Sequence, residues 1–192
     1  SNDGAVMASG HRLGVLEFAG AEDTSSTMTV GARIEAVTDA TWSASENGAK
    51  LDFYTTDGNA NQTQRMTILA NGNVGISTTD PVAQHGGGTV LHIDEPDGTN
   101  AAAINLTGGS GSNGSTLGII NFSPTGNTDL SYAAIFVEQE GTNGGQMRLS
   151  TKDDSGSIAH RIIILEDGTI KPGGNKTQDL GISGTAWDDC YA

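Results

Sequence analysis

The chain is poor in several residue types on which common protein classes depend. One cysteine among 192 residues cannot form an internal disulfide, which excludes a small secreted scaffold held together by disulfides. Only nine side chains are basic against 23 acidic ones, so the formal net charge is -14. This balance opposes binding to nucleic-acid phosphates and to anionic membrane surfaces, and we expect neither nucleic acid nor membrane insertion.

Large apolar residues are also scarce. Leu, Ile, Val and Phe make up 37 residues, about 19% of the chain, just under the roughly 20% at which disorder is suspected for a charged chain. No stretch approaches the ~20 apolar residues that cross a bilayer, and Ser1–Gly4 carries no signal region. The chain therefore has too few apolar residues for a large core of its own.

Small and turn-forming residues are abundant instead. Gly, Ser, Thr and Asn account for 79 residues, about 41% of the chain, whereas strong helix formers such as Leu, Lys, Gln and Glu are few. This composition favours strands joined by tight turns. We therefore predict an all-β fold.

The sequence contains an internal duplication. Order is kept between the two copies while the spacing drifts, as expected when loops change length and strands do not. The matched pairs are Leu13–Phe18 with Leu117–Phe122 at a spacing of 104, Ala32–Ile34 with Ala133–Ile135 at 101, and Ala49–Thr55 with Gly145–Thr151 and Arg65–Val74 with Arg161–Ile170 at 96.

The duplication predicts two small antiparallel β-units. The expected boundaries are a first unit at 1–80, a Gly-rich linker at 81–88, a second unit at 89–172 and a C-terminal tail at 173–192. Apolar residues fall two apart within each unit, which places them on one face of a strand. Those of the first unit, Leu51, Phe53, Met66 and Ile68, should correspond to Met147, Leu149, Ile162 and Ile164 of the second.

A sheet of this kind has one apolar face and few other residues to cover it. Its edges are also open to pairing with other chains. A closed ring of identical subunits would cover both, so the shortage of apolar residues predicts a homo-oligomer.

The candidate nucleophiles and metal ligands show no recognisable catalytic spacing. Cys190 is the only thiol, and His11, His85, His92 and His160 are far apart, with no His-x-x-x-His or His-x-Glu pattern. The Gly-rich stretch 108–115 lacks the lysine of a phosphate-binding loop. We expect no cofactor, no metal and no enzymatic activity.

Carboxylates leave one enzymatic alternative open. A pair of Asp or Glu side chains could hydrolyse glycans if the fold brought them together. Glu17, Glu35 and Asp52 alternate with apolar neighbours, however, which is typical of a solvated outer face. The acidic stretch 94–100 is interpreted as a turn between strands, since it lacks the alternating ligands of a calcium loop.

Two aromatic residues are weak candidates for ligand contact. Trp42 and Tyr54 could stack on sugar rings at an exposed tip. With so few aromatic residues in the chain, a packing role is at least as good an interpretation of both.

Several segments together resemble the repeat of bacteriophage tail-fibre proteins. The run Gly72–Ile76 is the most specific of them, and the C-terminal segments resemble the region that precedes a self-cleaving intramolecular chaperone of the endosialidase type. The segments are Leu13–Phe18, Gly31–Val37, Thr41–Ser43, Arg65–Ile68, Gly72–Pro81, Gln178–Gly181 and Trp187–Ala192. Ser77, where such repeats usually have Gly, and Cys190, where an apolar residue is commoner, depart from the pattern.

The resemblance implies a structural protein of the virion, located in the phage tail and extracellular. It implies a fibre-like homotrimer about a three-fold axis, contact with other tail proteins, and attachment to a glycan or protein receptor on the host surface. The chaperone domain itself would follow Ala192. Two alternatives remain: a tailspike-like polysaccharide depolymerase and a secreted bacterial adhesin.

Overall fold

The structure is a computed structural model that describes residues 5–58, 61–83, 87–95, 101–108, 112–124, 132–154 and 156–174. Its regular elements in these ranges are all strands, which confirms the predicted all-β fold. The strands are β1 (Arg12–Ala21), β2 (Met28–Thr38), β3 (Ala49–Thr56), β4 (Gln62–Ile68), β5 (Val74–Ile76), β6 (Leu91–Ile93), β7 (Thr116–Phe122), β8 (Ala133–Glu140), β9 (Gly144–Lys152), β10 (Ile158–Ile164) and β11 (Ile170–Pro172).

The first six strands form one sheet in sequence order. Strands β1 to β5 are an antiparallel meander, and β6 pairs with β5 in parallel. The turn between β4 and β5 follows from its sequence, because Gly72 adopts a φ of 86° that glycine reaches without a steric penalty. The amide of Gly72 donates to the carbonyl of Leu69 at 2.9 Å, which closes the turn.

The last five strands form a second, fully antiparallel sheet with the order β11-β10-β9-β8-β7. It repeats the turn of the first sheet: Gly168 has a φ of 83° and its amide donates to the carbonyl of Leu165 at 3.0 Å. The side chain of Asp167 supports this turn by accepting from the amide of Thr169 at 2.8 Å.

The two compact units divide at a different place from the expected linker. The first unit runs to residue 103 and the second begins at 104. The difference arises because the Leu91–Ile93 strand, expected in the second unit, completes the first sheet. Hydrogen bonds from Val74 to Val90 at 2.9 Å and from Asp94 to Ile76 at 3.0 Å extend this parallel pairing.

The two sheets share their register, which confirms the predicted correspondence of their apolar residues. Leu51 pairs with Ile68 and Phe53 with Met66 in the first sheet. Met147 pairs with Ile164 and Leu149 with Ile162 in the second. Two irregularities also agree, since each sheet has a bulge just before Gly14 or Gly118 and another between its third and fourth strands. The first sheet has a further register shift between Phe18 and Ala19.

The burial pattern is the reverse of that in an ordinary globular domain. Among the described residues, the buried hydrophobic side chains are Ala134 and Ile163, whereas buried polar ones include Glu35, Asp52 and Thr67. Each sheet therefore has a polar face with buried side chains and an apolar face that lies open. Large apolar side chains on these faces are exposed, among them Leu16, Phe18, Ile120 and Phe122.

Candidate functional site

The polar face of the first sheet brings two carboxylates together. Glu35 on β2 and Asp52 on β3 are register partners. Because side chains alternate along a strand, both lie on the face opposite Ile34 and Phe53. They are only 6% and 1% exposed, respectively, so the expectation of a solvated outer face is wrong for both. Glu17, by contrast, is exposed.

Glu35 lies between two arginines. Its carboxylate is 2.9 Å from the Arg12 guanidinium and 3.3 Å from Nε of Arg33. Burial by itself would raise the pKa of Glu35, but hydrogen bonds from Arg33 and Tyr54 and the charges of Arg33 and Arg12 outweigh it. The pKa of this carboxyl therefore lies below its ordinary value.

Asp52 accepts from three different donors. The ammonium of Lys50 lies 2.8 Å from one oxygen. The other oxygen accepts from Nε2 of Gln64 at 3.1 Å and from the hydroxyl of Thr67 at 2.6 Å. All of these groups come from β3 and β4, so the meander alone assembles the cluster.

These contacts do not suit glycoside hydrolysis. A general acid needs a pKa raised towards neutrality, and the reacting carboxylates must reach a sugar ring. The pKa of Glu35 is instead lowered, and both carboxylates are buried under their own partners. The sequence did not predict the burial of Glu35 and Asp52, because alternation shows which residues share a face but not which face is covered.

The polar face of the second sheet contains a serine–histidine contact that sequence reasoning missed. Oγ of Ser150 on β9 lies 2.8 Å from Nδ1 of His160 on β10. Nη1 of Arg148 lies 2.9 Å from the other ring nitrogen, Nε2, and the Arg148 guanidinium pairs with Glu138 at 2.8 Å. Phe136 packs edge-on against the His160 ring, with centroids 5.7 Å apart.

The direction of these hydrogen bonds does not suit a nucleophile and its base. A guanidinium only donates, so Nε2 of His160 accepts and the neutral ring carries its proton on Nδ1. That proton is donated to Ser150, whereas a catalytic base would take the proton of the serine. Ser150 is also only 3% exposed.

The pKa of His160 is lowered in the same cluster. Burial is the largest cause and the charge of Arg148 the second, while Glu138 opposes both. The neutral form of the ring is therefore favoured in the folded chain. The sequence signal for this cluster was the placement of Ser150 and His160 at polar positions of neighbouring strands.

The two aromatic candidates have separate surroundings. Tyr54 is half-buried on β3 with the guanidinium of Arg33 stacked 3.7 Å from its ring centroid, and its hydroxyl oxygen lies 3.4 Å from Oε1 of Gln64. Trp42 lies in the β2–β3 loop, where Nε1 donates to the carbonyl of Gly48 at 2.9 Å. Their described contacts do not bring them into one site.

The remaining candidates form no centre that the structure describes. His85, Cys190 and most of the acidic stretch 94–100 lie outside the described residues. In the ranges given above, no three His, Cys, Asp or Glu side chains are grouped as metal ligands would be. None of the described segments is a helix with the length and apolar character of a membrane span.

The apolar faces carry a row of exposed large side chains on each sheet. On the first sheet, neighbouring strands place Leu16, Ile34, Phe53, Met66 and Ile76 in one row. On the second, Ile120, Ile135, Leu149 and Ile162 form the matching row. The exposed members of the two faces are Leu16, Phe18, Leu51, Ile76, Leu91, Ile120, Phe122, Val137, Met147, Ile162 and Ile170.

No protein family matches the chain, and no curated protein does. Two of the solved structures that are similar to it contain a phage tail-fibre domain. One is the carboxy-terminal domain of the bacteriophage T5 L-shaped tail fibre, with a TM-score of 0.39 and 16% identity, covering 98% of this chain and 88% of that one. The other contains the same domain with its intramolecular chaperone domain, at a TM-score of 0.39 and 15% identity. There the match covers 100% of this chain and 62% of the other.

Proposed function

We propose that the chain is a structural segment of a phage tail fibre that works as a homotrimer and contributes to attachment at the host surface. The observation that carries this proposal is the open apolar face that both sheets share. The resemblance of the repeat to tail-fibre sequences supports the virion role, the extracellular location in the tail and the contact with other tail proteins.

The apolar faces need a partner of matching shape and repeat. Monomeric proteins rarely expose contiguous apolar patches larger than a few hundred Å². Covering roughly 1,000 Å² per subunit would contribute on the order of 25 kcal/mol before the costs of ordering and association. That gross contribution is large beside the ~5–15 kcal/mol net stability of a typical domain.

A second copy of the same chain is the partner that fits best. The same apolar row occurs in each unit, so another copy of the chain offers each unit a face of matching pattern. A closed ring of copies also leaves no unpaired strand edge, whereas an open stack would keep β1 and β7 exposed to further pairing. Three as the number of copies comes from the tail-fibre resemblance.

Host attachment is the contribution expected of such a fibre. The receptor would be a glycan or a protein of the host surface. Trp42 remains the better of the two aromatic candidates for contact, because Arg33 already covers one face of the Tyr54 ring.

The depolymerase is the weaker alternative. The geometry of Glu35, Asp52, Ser150 and His160 gives no general acid and no activated nucleophile in the described ranges, so we propose a structural rather than an enzymatic role. Release of sugar fragments from host capsule or lipopolysaccharide, abolished by Glu35→Gln, would favour the enzyme instead. A secreted adhesin could have a similar all-β fold, but no particular observation favours it.

Sedimentation over a dilution series tests the proposal. We expect the full chain to sediment at three times the 19.6 kDa mass of one chain throughout the micromolar range. A folded, compact monomer at micromolar concentration would contradict both the trimer and the fibre.

A further inference from the structure

We propose that Arg65 and Arg161 bridge neighbouring copies of the chain, each donating hydrogen bonds to an acceptor on another subunit. Both arginines are the extra residue of a β-bulge. In the first sheet the pairing passes from Phe53–Met66 to Tyr54–Gln64, which leaves Arg65 without a register partner. In the second it passes from Leu149–Ile162 to Ser150–His160, which leaves Arg161 in the equivalent place.

A threonine fixes both arginines on the apolar face. Nε of Arg65 donates to Oγ1 of Thr55 at 3.1 Å, and Nε of Arg161 donates to Oγ1 of Thr151 at 2.9 Å. Thr55 lies two residues from Phe53 along β3, and therefore on the same side of the sheet. Each guanidinium consequently stands on the surface proposed to meet another copy.

The same row of residues surrounds the guanidinium in both units. Across the strands, Phe18 pairs with Ala32 and Ala32 with Thr55. The second sheet repeats this with Phe122, Ala133 and Thr151. The small alanine leaves room between the exposed phenylalanine and the arginine, so a side chain from another copy can reach the guanidinium there.

These arginines lack the carboxylate partner that four other basic residues have, and Lys152 and Lys171 lack one as well in the described ranges. Arg12, Arg33, Lys50 and Arg148 all pair with a carboxylate in their own sheet. No ion pair formed within the described ranges involves Arg65 or Arg161. Besides its bond to Oγ1, Arg161 has one long contact from Nη2 to the carbonyl of Thr151 at 3.5 Å.

The bridge rests on the proposed trimer. The reason to expect it is the hydration that each guanidinium would lose in the interface. A guanidinium has five N–H donors, of which Arg65 uses one. Covering the apolar face would remove water from the others, and a buried charge without a partner is strongly destabilising. A neighbouring copy can supply the acceptor, because a chain with a net charge of -14 has a surplus of carboxylates.

Both copies of the duplication keep the bulge, which supports a role for it in bridging subunits. Between the two units the polar face has changed, with Asp52 replaced by Arg148 and Gln64 by His160 at the equivalent positions. The arginine, its threonine and the bulge itself are unchanged. A bulge redirects a side chain out of the strand's regular alternation, which is how a charged residue enters a face of apolar ones.

The experiment compares oligomer stability in the full chain by sedimentation equilibrium. We expect Arg65→Gln combined with Arg161→Gln to raise the concentration of half-dissociation by at least about tenfold, because charge-assisted hydrogen bonds buried at an interface are lost. Lys171→Gln is the matched control. It removes a single positive charge from the opposite face, where Lys171 pairs with Ile163, and should leave dissociation unchanged.

Replacing the threonines separates an oriented bridge from a merely exposed charge. Thr55→Val combined with Thr151→Val keeps both arginines but removes the hydroxyls that hold them, so we expect weaker association by several fold. If the guanidinium made no contact across subunits, the added methyl groups would strengthen association, and that result would overturn the bridge. The threonine double variant also tests the bridge if the arginine double variant fails to fold.

The outcomes distinguish the bridge from the assembly. A monomeric wild-type chain would overturn the trimer and the bridge together. A wild-type trimer whose dissociation is unchanged in the arginine variants would overturn the bridge alone.

Discussion

Polar side chains provide much of the buried interior of each unit, and Asp52 shows how. Its carboxylate is satisfied by the ammonium of Lys50, the amide of Gln64 and the hydroxyl of Thr67. Such a cluster is stable only when every member is paired, because a buried donor without an acceptor has lost its hydration. Removing the central carboxylate should therefore cost more than the removal of any single hydrogen bond.

Asp52→Ala is expected to lower the free energy of unfolding by about 3 kcal/mol, since it leaves the buried Thr67 hydroxyl without its acceptor and the partly buried Lys50 without its counter-charge. Urea denaturation at fixed protein concentration measures this. Glu17→Ala, an exposed carboxylate on β1, is the control and should change stability by less than about 0.5 kcal/mol. Equal effects of the two substitutions would show that the Asp52 cluster contributes nothing particular.

His160 should make stability depend on pH. Its pKa is lowered in the folded chain, by burial first and by the charge of Arg148 second. The unfolded chain therefore binds the proton more readily, near the ordinary histidine pKa of ~6.5. This contribution to stability is complete above that pH and is lost as the pH falls from there through the folded-state pKa.

Thermal unfolding between pH 8 and pH 5 tests this dependence. We expect the melting temperature to fall on acidification, and to fall less in His160→Asn, which cannot take up the proton. Asp52→Asn leaves the second sheet intact, so it should keep the part of the pH dependence of the melting temperature that is due to His160. Identical slopes for the wild type and His160→Asn would contradict the assignment to His160.

At the scale of strands and turns, the short strand β5 depends on a close approach that only glycine permits. A Cβ added at Gly75 would lie 2.6 Å from the carbonyl oxygen of Thr78 and 3.1 Å from Cγ2 of Thr67. The backbone after β5 therefore folds directly over the sheet. The buried Asn73, whose amide donates to the carbonyl of Pro81 at 3.1 Å, holds the same segment.

Gly75→Ala should accordingly destabilise the first unit by about 1–3 kcal/mol through overpacking. Gly58→Ala is a suitable comparison, because an added Cβ there meets no atom within 4 Å. Amide hydrogen exchange would localise the effect, with faster exchange expected in β4, β5 and β6. If both alanine variants were equally stable, the segment after Ile76 would have to move aside without cost.

Local chemistry predicted most of these elements. The alternation of Leu51 with Phe53 and of Ile162 with Ile164 identifies strands and the residues that share a face. The Asn71–Gly72 and Asp167–Gly168 pairs identify the turns, because Gly supplies the positive φ that each turn requires. Both kinds of signal lie within a few residues, so the sequence displays them directly.

Features that depend on distant residues were not predictable in the same way. The parallel pairing of Leu91–Ile93 with β5 requires the chain to return after residues 77–90, and no local signal encodes that return. The contact of Ser150 with His160 depends on the bulge at Arg161, which shifts the register by one residue. Similarly, the burial of Glu35 depends on arginines from two strands.

At the scale of the whole molecule, the scarcity of large apolar residues and their placement on open faces have one explanation. Each sheet has its ion pairs on one side and most of its large apolar residues on the other. In a monomer the apolar face would remain in contact with water, so burial of apolar surface would contribute little to stability. Association of copies through the apolar faces would recover that contribution, and would make folding and assembly inseparable.

Two adjacent residues of β1 allow association through each face of the first sheet to be tested separately. Leu16 lies on the apolar face and is 57% exposed, whereas Val15 lies on the polar face and is 41% exposed. Leu16→Asp would place a charge where another copy is expected to pack, and burying an unpaired carboxylate is costly. Val15→Asp adds the same charge to the same strand on the side where no copy is expected to pack.

We therefore expect Leu16→Asp to sediment as smaller or aggregated species at concentrations where the wild type is trimeric, while Val15→Asp remains trimeric. Far-ultraviolet circular dichroism should match that of the wild type for Val15→Asp, whereas Leu16→Asp should lose sheet signal together with assembly, because folding and association are expected to be coupled. If Val15→Asp alone dissociated the oligomer, the copies would meet through their polar faces. Dissociation by both would mean that β1 is enclosed on both sides, so that the edge strand rather than the apolar face forms the contact.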